Sequence, residues 1–181
     1  MSQVTIGVEY TEGSEEPHIG SDSTIRAGTI IYDDVAIGKR FSTGHDVLIR
    51  ELTEIGDDVL VGTKTVIDGR TTIGSDVSLQ TGVYVPSHTT IGDHVFVGPH
   101  AVLTNDPYPV RNDIDLAGPT IEDHASIGAN ATILPDVTVG AKSFVAAGSV
   151  VVDDVPPETL AIGAPAKHRP LPDEVPRKNE L

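Results

Sequence analysis

The chain has no cysteine and no tryptophan, and aromatic residues make up only 4% of its 181 residues. The missing thiols exclude disulfide bonds, thiolate metal ligands and a cysteine nucleophile. The scarcity of large rings argues against a globular core built on aromatic packing. We therefore expect a core of isoleucine, valine and leucine.

Basic residues are also few: 12 lysines and arginines stand against 27 aspartates and glutamates, giving a net charge of −15. This balance makes nucleic acid and anionic membranes unfavourable partners. The acidic residues are spread through the turns, as on a solvated surface of a halophilic protein. The N-terminus has no signal pattern and no apolar run approaches the ~18 residues of a membrane span. We expect a soluble, cytoplasmic protein.

The strongest positive feature is an apolar residue at every sixth position. It recurs from Ile19 to Leu103 and again from Ile121 to Val151, and only Thr43 breaks the series. A period of six fits neither a helix nor an ordinary strand, and it is typical of a parallel β-helix. The Gly-Asp and Gly-Ser steps between the apolar positions are typical of turns.

This pattern resembles the left-handed β-helix of the hexapeptide-repeat family, in which three hexads form one triangular coil. The resemblance implies an all-β protein, a left-handed parallel β-helix of about seven coils over residues 19–166. We expect residues 1–18 to form a short N-terminal cap and residues 167–181 an extended C-terminal tail. After Leu103 the six-residue period would place apolar residues at positions 109 and 115, but the sequence has Pro109 and Asp115 there. We therefore expect residues 105–119 to leave the helix as one excursion loop.

Two longer stretches narrow the resemblance. They are IGDHVFVGPHAVLTNDPYPVR at residues 91–111 and VAAGSVVVDDVPPETLAIGAPAK at residues 145–167. Together they resemble the acyl-CoA-dependent acyltransferases of the hexapeptide family, most closely those that N-acetylate the 3-amino group of nucleotide-linked sugars. The resemblance implies a homotrimeric enzyme with acetyl-CoA as acyl donor, a nucleotide-linked amino sugar as acceptor and no metal.

The resemblance also implies where acetyl-CoA binds. In the family it lies in a groove between subunits, where small residues let backbone amides approach the thioester carbonyl. Near the end of the second stretch, a cation meets the phosphate of the cofactor. The positions of this sequence that match the cofactor-binding ones are Gly128, Ala129, Ala146, Ala147, Pro165, Lys167 and Arg169.

Asn105, which begins the loop, is the main catalytic candidate. Its amide cannot take a proton, but it can accept a hydrogen bond from an attacking amine and hold that amine in line. A hydroxyl acceptor would need a base, and related O-acetylating enzymes place a histidine in this loop, whereas residues 105–119 contain none. This absence favours N-acetylation. His100, near Asn105 in sequence, is the candidate base for the alternative, a sugar O-acetyltransferase.

Four residues are candidates for binding the acceptor. Gln80 matches a position near the substrate groove of the family, and Asp106 follows the Thr-Asn pair. Tyr108 can stack on a sugar or a base, and Arg111 can pair with a carboxylate or phosphate. The sequence departs from the related loops at Val110, which separates the preceding proline from Arg111.

Two other classes of protein remain open. γ-Class carbonic anhydrases share the repeat and hold a metal with three histidines across a subunit interface, whereas a non-catalytic trimeric scaffold would bind neither metal nor acyl-CoA. His88, His94 and His100 occupy equivalent turn positions on consecutive hexads, so one subunit cannot gather them. If the loop is a clean excursion, His124 lies directly over His94.

Overall fold

A computed structural model describes residues 3–176 and 178–181; Met1 and Ser2 of the predicted cap and Arg177 of the predicted tail lie outside the described residues. The described chain forms 23 strands, mostly of two or three residues, arranged in three sheets. Among these residues there is no helix long and apolar enough to cross a membrane.

Sheet A has eight strands and sheet B has seven. Sheet A contains β1 (Thr5–Val8), β3 (Ile30–Tyr32), β6 (Leu48–Ile49), β9 (Val66–Ile67), β12 (Tyr84–Val85), β15 (Val102–Leu103), β18 (Thr132–Ile133) and β21 (Val150–Val151). Sheet B contains β2 (His18–Ile19), β4 (Val35–Ile37), β7 (Thr53–Ile55), β10 (Thr72–Ile73), β13 (Thr90–Ile91), β16 (Thr120–Ile121) and β19 (Thr138–Val139).

Sheet C has eight strands and ends in a hairpin. It contains β5 (Ser42–Thr43), β8 (Leu60–Val61), β11 (Ser78–Leu79), β14 (Phe96–Val97), β17 (Ser126–Ile127), β20 (Phe144–Val145), β22 (Thr159–Gly163) and β23 (Ala166–Pro170). Strand β23 pairs antiparallel with β22, whereas the other pairs of strands are parallel. Since the chain visits the three sheets in turn, each round of A, B and C is one coil of a β-helix.

The register confirms the triangular coil. Thr72 pairs with Thr90, eighteen residues on, whereas Thr90 pairs with Thr120, thirty residues on. The difference, 30 − 18 = 12, is the number of residues that the excursion adds. The all-β architecture confirms the predicted left-handed β-helix. It has about eight coils, one more than predicted, because β1 pairs with β3 and adds a first strand to sheet A.

The core is the stack of sixth-position residues. Members such as Ile31, Ile67 and Val97 are fully buried. Thr43, the polar exception, is also buried: its hydroxyl lies 3.3 Å from that of Thr29 and accepts the Arg26 amide at 2.9 Å. The exception is tolerated because its buried hydroxyl has hydrogen-bond partners.

The corners between sheets form three long edges. The loop edge follows sheet A and includes residues 86–89 and 104–119. The histidine edge follows sheet B and includes residues 92–95 and 122–125. The small-residue edge follows sheet C and includes residues 98–101, 128–131 and 146–149. Most corners contain a residue with positive φ, such as His88 (63°), His94 (55°) and His100 (58°), one on each edge.

Candidate active site

The loop edge places Asn105 directly over Ser87 of the preceding coil. Asn105 Nδ2 donates to the Ser87 carbonyl oxygen at 3.2 Å and to Ser87 Oγ at 3.0 Å. The Ala117 amide donates to the Asn105 carbonyl at 3.1 Å and closes the base of the loop. Within residues 3–176 and 178–181, Asn105 Oδ1 has no hydrogen-bond donor. This oxygen is therefore available to an outside donor.

Ser87 is a functional candidate that the sequence analysis missed, and His88 was considered there only among possible metal ligands. His88 Nδ1 lies 3.2 Å from Ser87 Oγ, so a histidine stands at the foot of a loop that contains none. The signal was present in the numbering: 105 − 87 is 18, the length of one coil. Residues one coil apart stack at about 4.8 Å.

The outer part of the loop is a set of local turns. Asp106 Oδ1 accepts the Tyr108 amide at 2.8 Å, and the Arg111 amide donates to the Tyr108 carbonyl at 2.9 Å. Val110 has a φ of 56° and is fully exposed, so the residue that departs from the family pattern is the one that turns the chain. The Tyr108 and Arg111 side chains are also exposed, beyond Asn105 on the same edge.

The small-residue edge collects four of the predicted cofactor residues. They are Gly128, Ala129, Ala146 and Ala147, on two consecutive coils. On the histidine edge two equivalent backbone amides are capped by side chains one coil on: the Ser75 amide donates to Asp93 Oδ1 at 2.7 Å and the Asp93 amide to Asp123 Oδ1 at 2.9 Å. On the small-residue edge Ala147 lies one coil above Ala129, and the register of β20 with β22 places Gly163 above Ala147, so neither residue above offers a side-chain acceptor. Among the described residues, the amides of Ala129 and Ala147 have no acceptor, so they can bind a carbonyl oxygen of a ligand.

His100 and Gln80 also lie on the small-residue edge. The His100 ring covers Gly82, where an added Cβ would approach Nδ1 to 2.5 Å. Gln80 Nε2 donates to Ser78 Oγ at 2.7 Å. Sheet A separates these residues from Asn105, and the five residues from His100 to Asn105 span about 15 Å when extended. One copy of the chain therefore does not bring Asn105 together with His100, Gln80 or the cofactor residues.

The hairpin of β22 and β23 carries the remaining cofactor candidates. Gly163 donates its amide to Ser149 Oγ at 3.1 Å, which fixes the hairpin tip beside the small-residue edge. Pro165 is exposed at this tip. Lys167 pairs with Ile162 and Arg169 with Leu160 along β23, and both cationic side chains are exposed. The structure thus places cations next to the coils with free amides.

The histidine edge contains a stacked pair, as predicted. The rings of His94 and His124 are 4.6 Å apart and 2° from parallel. Asn179 donates to the carbonyl oxygens of both residues, at 2.9 and 3.3 Å, so the end of the tail lies across them. Burial, His94 and Lys178 lower the pKa of His124. In the described part of the chain, no group of three or more His, Asp or Glu side chains could hold a metal ion.

Comparison with known proteins identifies the repeat. Residues 70–105 and 118–153 match the model "Bacterial transferase hexapeptide (six repeats)", and the gap in the match falls on the excursion loop. The matched residues, 72 of the 181, carry the hexapeptide repeat of bacterial transferases, and the six-residue period and the coil continue beyond the match.

Two named relatives match part of the chain. An N-acetyltransferase of Clostridium perfringens acting on 2,3,4,5-tetrahydropyridine-2,6-dicarboxylate is 60% identical over 47 residues, 26% of this chain and 20% of the relative. The galactoside O-acetyltransferase of Escherichia coli K12 is 36% identical over 80 residues, 41% of this chain and 39% of the relative. The chain therefore spans well under half of the length of either relative.

Solved structures match over nearly the whole chain. A Bacillus cereus protein with a provisional acetyltransferase assignment has a TM-score of 0.63 and 26% identity, covering 96% of this chain and 87% of that one. AntD, an N-acyltransferase of Bacillus cereus solved with dTDP and coenzyme A, has a TM-score of 0.57 and 19% identity, covering 84% and 85%. The second likeness shows a shared fold.

Proposed function

We propose that the protein is an acetyl-CoA-dependent N-acetyltransferase that acts on an amino group of a nucleotide-linked amino sugar. The observation that carries this proposal is the orientation of Asn105. Both of its amide hydrogen bonds run from Nδ2 to Ser87, which leaves Oδ1 as a fixed acceptor at the mouth of the loop. An amine can donate to this oxygen while its lone pair points at a carbonyl carbon.

The chemistry needs no side-chain base. The neutral amine attacks the thioester carbonyl carbon and forms the C–N bond, and the C–S bond then breaks. Coenzyme A leaves as a thiolate, whose ordinary pKa of about 8.5 lets it accept the proton that the amine releases. The free amides of Ala129 and Ala147 are suited to stabilise the oxyanion that forms between these steps.

The small-residue edge and the hairpin fit the acyl donor. Free amides beside alanines leave room for a thioester arm, and Lys167 and Arg169 supply cations for its phosphates. Two of the relatives are named acetyltransferases, and AntD was solved with coenzyme A. The donor would lie along the late coils, with its nucleotide end at the hairpin.

A homotrimer would bring Asn105 on the loop edge of one copy close to the cofactor residues on the small-residue edge of another. Most outward-facing residues of sheet A are apolar and partly exposed, including Ile30 at 39% and Val102 at 37% exposure. Sheet A lies between the loop edge and the small-residue edge, so packing this face against a second copy brings Asn105 of one copy towards the amides of the next. The acidic sugar nucleotide would then meet Arg111 and Tyr108 on the loop.

A sugar O-acetyltransferase is the second candidate, because the Escherichia coli relative carries that activity. In a trimer, His100 on the small-residue edge would supply the base that a hydroxyl acceptor requires. The two candidates make different predictions for the H100N variant, since asparagine tolerates a φ of 58°. N-acetylation keeps its rate in H100N, whereas O-acetylation is lost.

Thiol release from acetyl-CoA tests the proposal. The assay is run at high salt with a panel of 3-amino and 4-amino nucleotide sugars and with their hydroxyl analogues. The protein has no cysteine, so it adds no thiol background. The proposal predicts release that depends on an amino sugar. Release with the hydroxyl analogues alone would favour the second candidate, and no release from folded protein would contradict both.

A further inference from the structure

Ser87 and His88 lie on the coil directly beneath the start of the excursion loop. Ser87 Oγ lies 3.0 Å from Asn105 Nδ2 and 3.2 Å from His88 Nδ1, so one hydroxyl joins the two side chains. Ser87 is half-buried and His88 is exposed at the corner. Neither residue is among the site residues expected from the sequence.

We propose that Ser87 and His88 are positioning residues that hold the Asn105 amide in its reactive orientation. The inference rests on the proposed function, because it assigns the orientation of Asn105 a role in amine transfer. It adds a chain of hydrogen bonds that runs from Asn105 through Ser87 to His88.

The direction of each hydrogen bond follows from the groups involved. The Ser87 carbonyl oxygen can only accept, so Nδ2 must face it, and a flipped amide would set Oδ1 against another acceptor. Ser87 Oγ accepts the second N–H of the same amide, and its single proton is then free to go to His88 Nδ1. When Nδ1 of His88 accepts this proton the chain is complete, and linked hydrogen bonds of this kind strengthen one another.

The corner beneath the loop is rigid enough for this role. Thr89 Oγ1 donates to the Pro86 carbonyl at 2.7 Å, and Thr71 Oγ1 reaches the same oxygen at 3.3 Å. The loop returns over this corner at Gly118, where an added Cβ would lie 2.5 Å from Thr89 Oγ1. Ser87 and His88 therefore lie on a rigid coil, which fixes the position of the Asn105 amide that Ser87 binds.

Two pairs of variants test the chain of hydrogen bonds. S87A removes the bridging hydroxyl and S87T keeps it. H88G removes the imidazole at a φ of 63° without strain, and H88N keeps an acceptor near the Nδ1 position in a residue that tolerates this φ. L52G is the matched control, because Leu52 has a φ of 57° on the same edge and lies two coils below His88.

We expect S87A and H88G each to lower kcat about tenfold, the loss expected from one hydrogen bond. The KM for acetyl-CoA should stay unchanged, and S87T and H88N should recover most of the rate. L52G should match the wild type in kcat, and thermal unfolding should show all five variants folded. A merely structural role would lower Tm without this split between kcat and KM or the recovery by the conservative variants.

The inference and the proposed function fail in different ways. If N105A abolishes amine-dependent release while S87A and H88G keep the wild-type kcat, the inference is overturned and the proposed function stands. It is also overturned if S87T and H88N lose as much rate as S87A and H88G. If the wild type itself shows no amine-dependent release, the proposed function has failed first.

Discussion

Asn105 is the residue on which the proposed chemistry depends. N105A removes the free acceptor Oδ1 together with the contacts to Ser87. We expect kcat for the amino sugar to fall about 100-fold, since removal of one well-placed polar group from an active site has this order of effect. Steady-state kinetics with saturating acetyl-CoA measures the loss.

N112A is the matched control for N105A, because Asn112 is an exposed asparagine of the same loop. It should keep the wild-type kcat. Equal losses in the two variants would show that the loop, and not the Asn105 amide, limits the reaction.

Glycine at the small-residue edge is required by space at one position and by backbone conformation at another. A Cβ on Gly98 would lie 2.6 Å from the Ala129 amide nitrogen, which belongs to the next coil and cannot move aside. Gly148 has a φ of 69° and an added Cβ would meet nothing within 4 Å. We expect G98A to lower the free energy of unfolding by about 3 kcal/mol and G148A by about 1 kcal/mol.

Urea denaturation measures both values. If G148A lowers the free energy of unfolding more than G98A does, the close approach of successive coils is not the reason that position 98 is glycine.

Single residues also show how far the sequence could be interpreted. The stack of His94 on His124 follows from the coil length and was predicted. The contact between Asn105 and Ser87 follows from the same rule, yet loop residues were not placed in the register. The same rule places Ala147 over Ala129. The residue over Ala147 could not be predicted, because β22 pairs with β20 at an offset of 16 residues instead of 18.

At the scale of elements, the excursion loop and the strands around it were predictable from the failure of the six-residue period. Strand β1 was not, because residues 5–8 have no six-residue partner and pair with β3 through an irregular register. The C-terminal end was not predictable either. Asn179 reaches a corner more than fifty residues away in sequence, and no local pattern indicates such a contact.

The contact between the tail and the stacked histidines predicts a pH dependence. Burial, His94 and Lys178 lower the pKa of His124, while Asp123 opposes the shift and Lys142 adds to it. Asp76 Oδ2 lies 3.9 Å from His94 Nδ1 on the same edge. Since the folded pKa is below the unfolded value of about 6.5, the unfolded chain binds more protons in mildly acidic solution. The free energy of unfolding should therefore fall as the pH drops below about 6.5, and level off below the folded pKa.

H124N isolates this contribution, because asparagine tolerates the φ of 59° at this position. Urea denaturation between pH 7.5 and 5 should show a smaller acid loss in H124N than in the wild type. Identical slopes in the two proteins would remove His124 as the cause.

At the scale of the whole molecule, the dominant property is the net charge of −15. Ion pairs such as Lys64–Asp46 at 3.2 Å are exposed and contribute little, so mutual repulsion of acidic residues is the larger effect. The Debye length, beyond which salt largely screens the repulsion between charges, is about 10 Å at 0.1 M salt and about 3 Å at 1 M. We expect Tm to rise over this range, and activity on the proposed anionic substrates to rise with it.

Sodium chloride and potassium chloride at equal ionic strength are compared as the control, because screening depends on ionic strength and not on which of these cations supplies it. A steady fall of both Tm and activity from low to molar salt would contradict the halophilic interpretation. Unequal rises in Tm with the two salts at equal ionic strength would show that screening is not the main cause.

The central claim is that Asn105 presents an acceptor to an amine, and the nature of the new bond tests it most directly. The measurement is mass spectrometry of the product formed from acetyl-CoA and a nucleotide-linked amino sugar, before and after mild base. The account predicts one added acetyl group that survives base, since an amide does not hydrolyse under these conditions. An acetyl group that is lost in base would be an ester, and it would contradict the role given to Asn105.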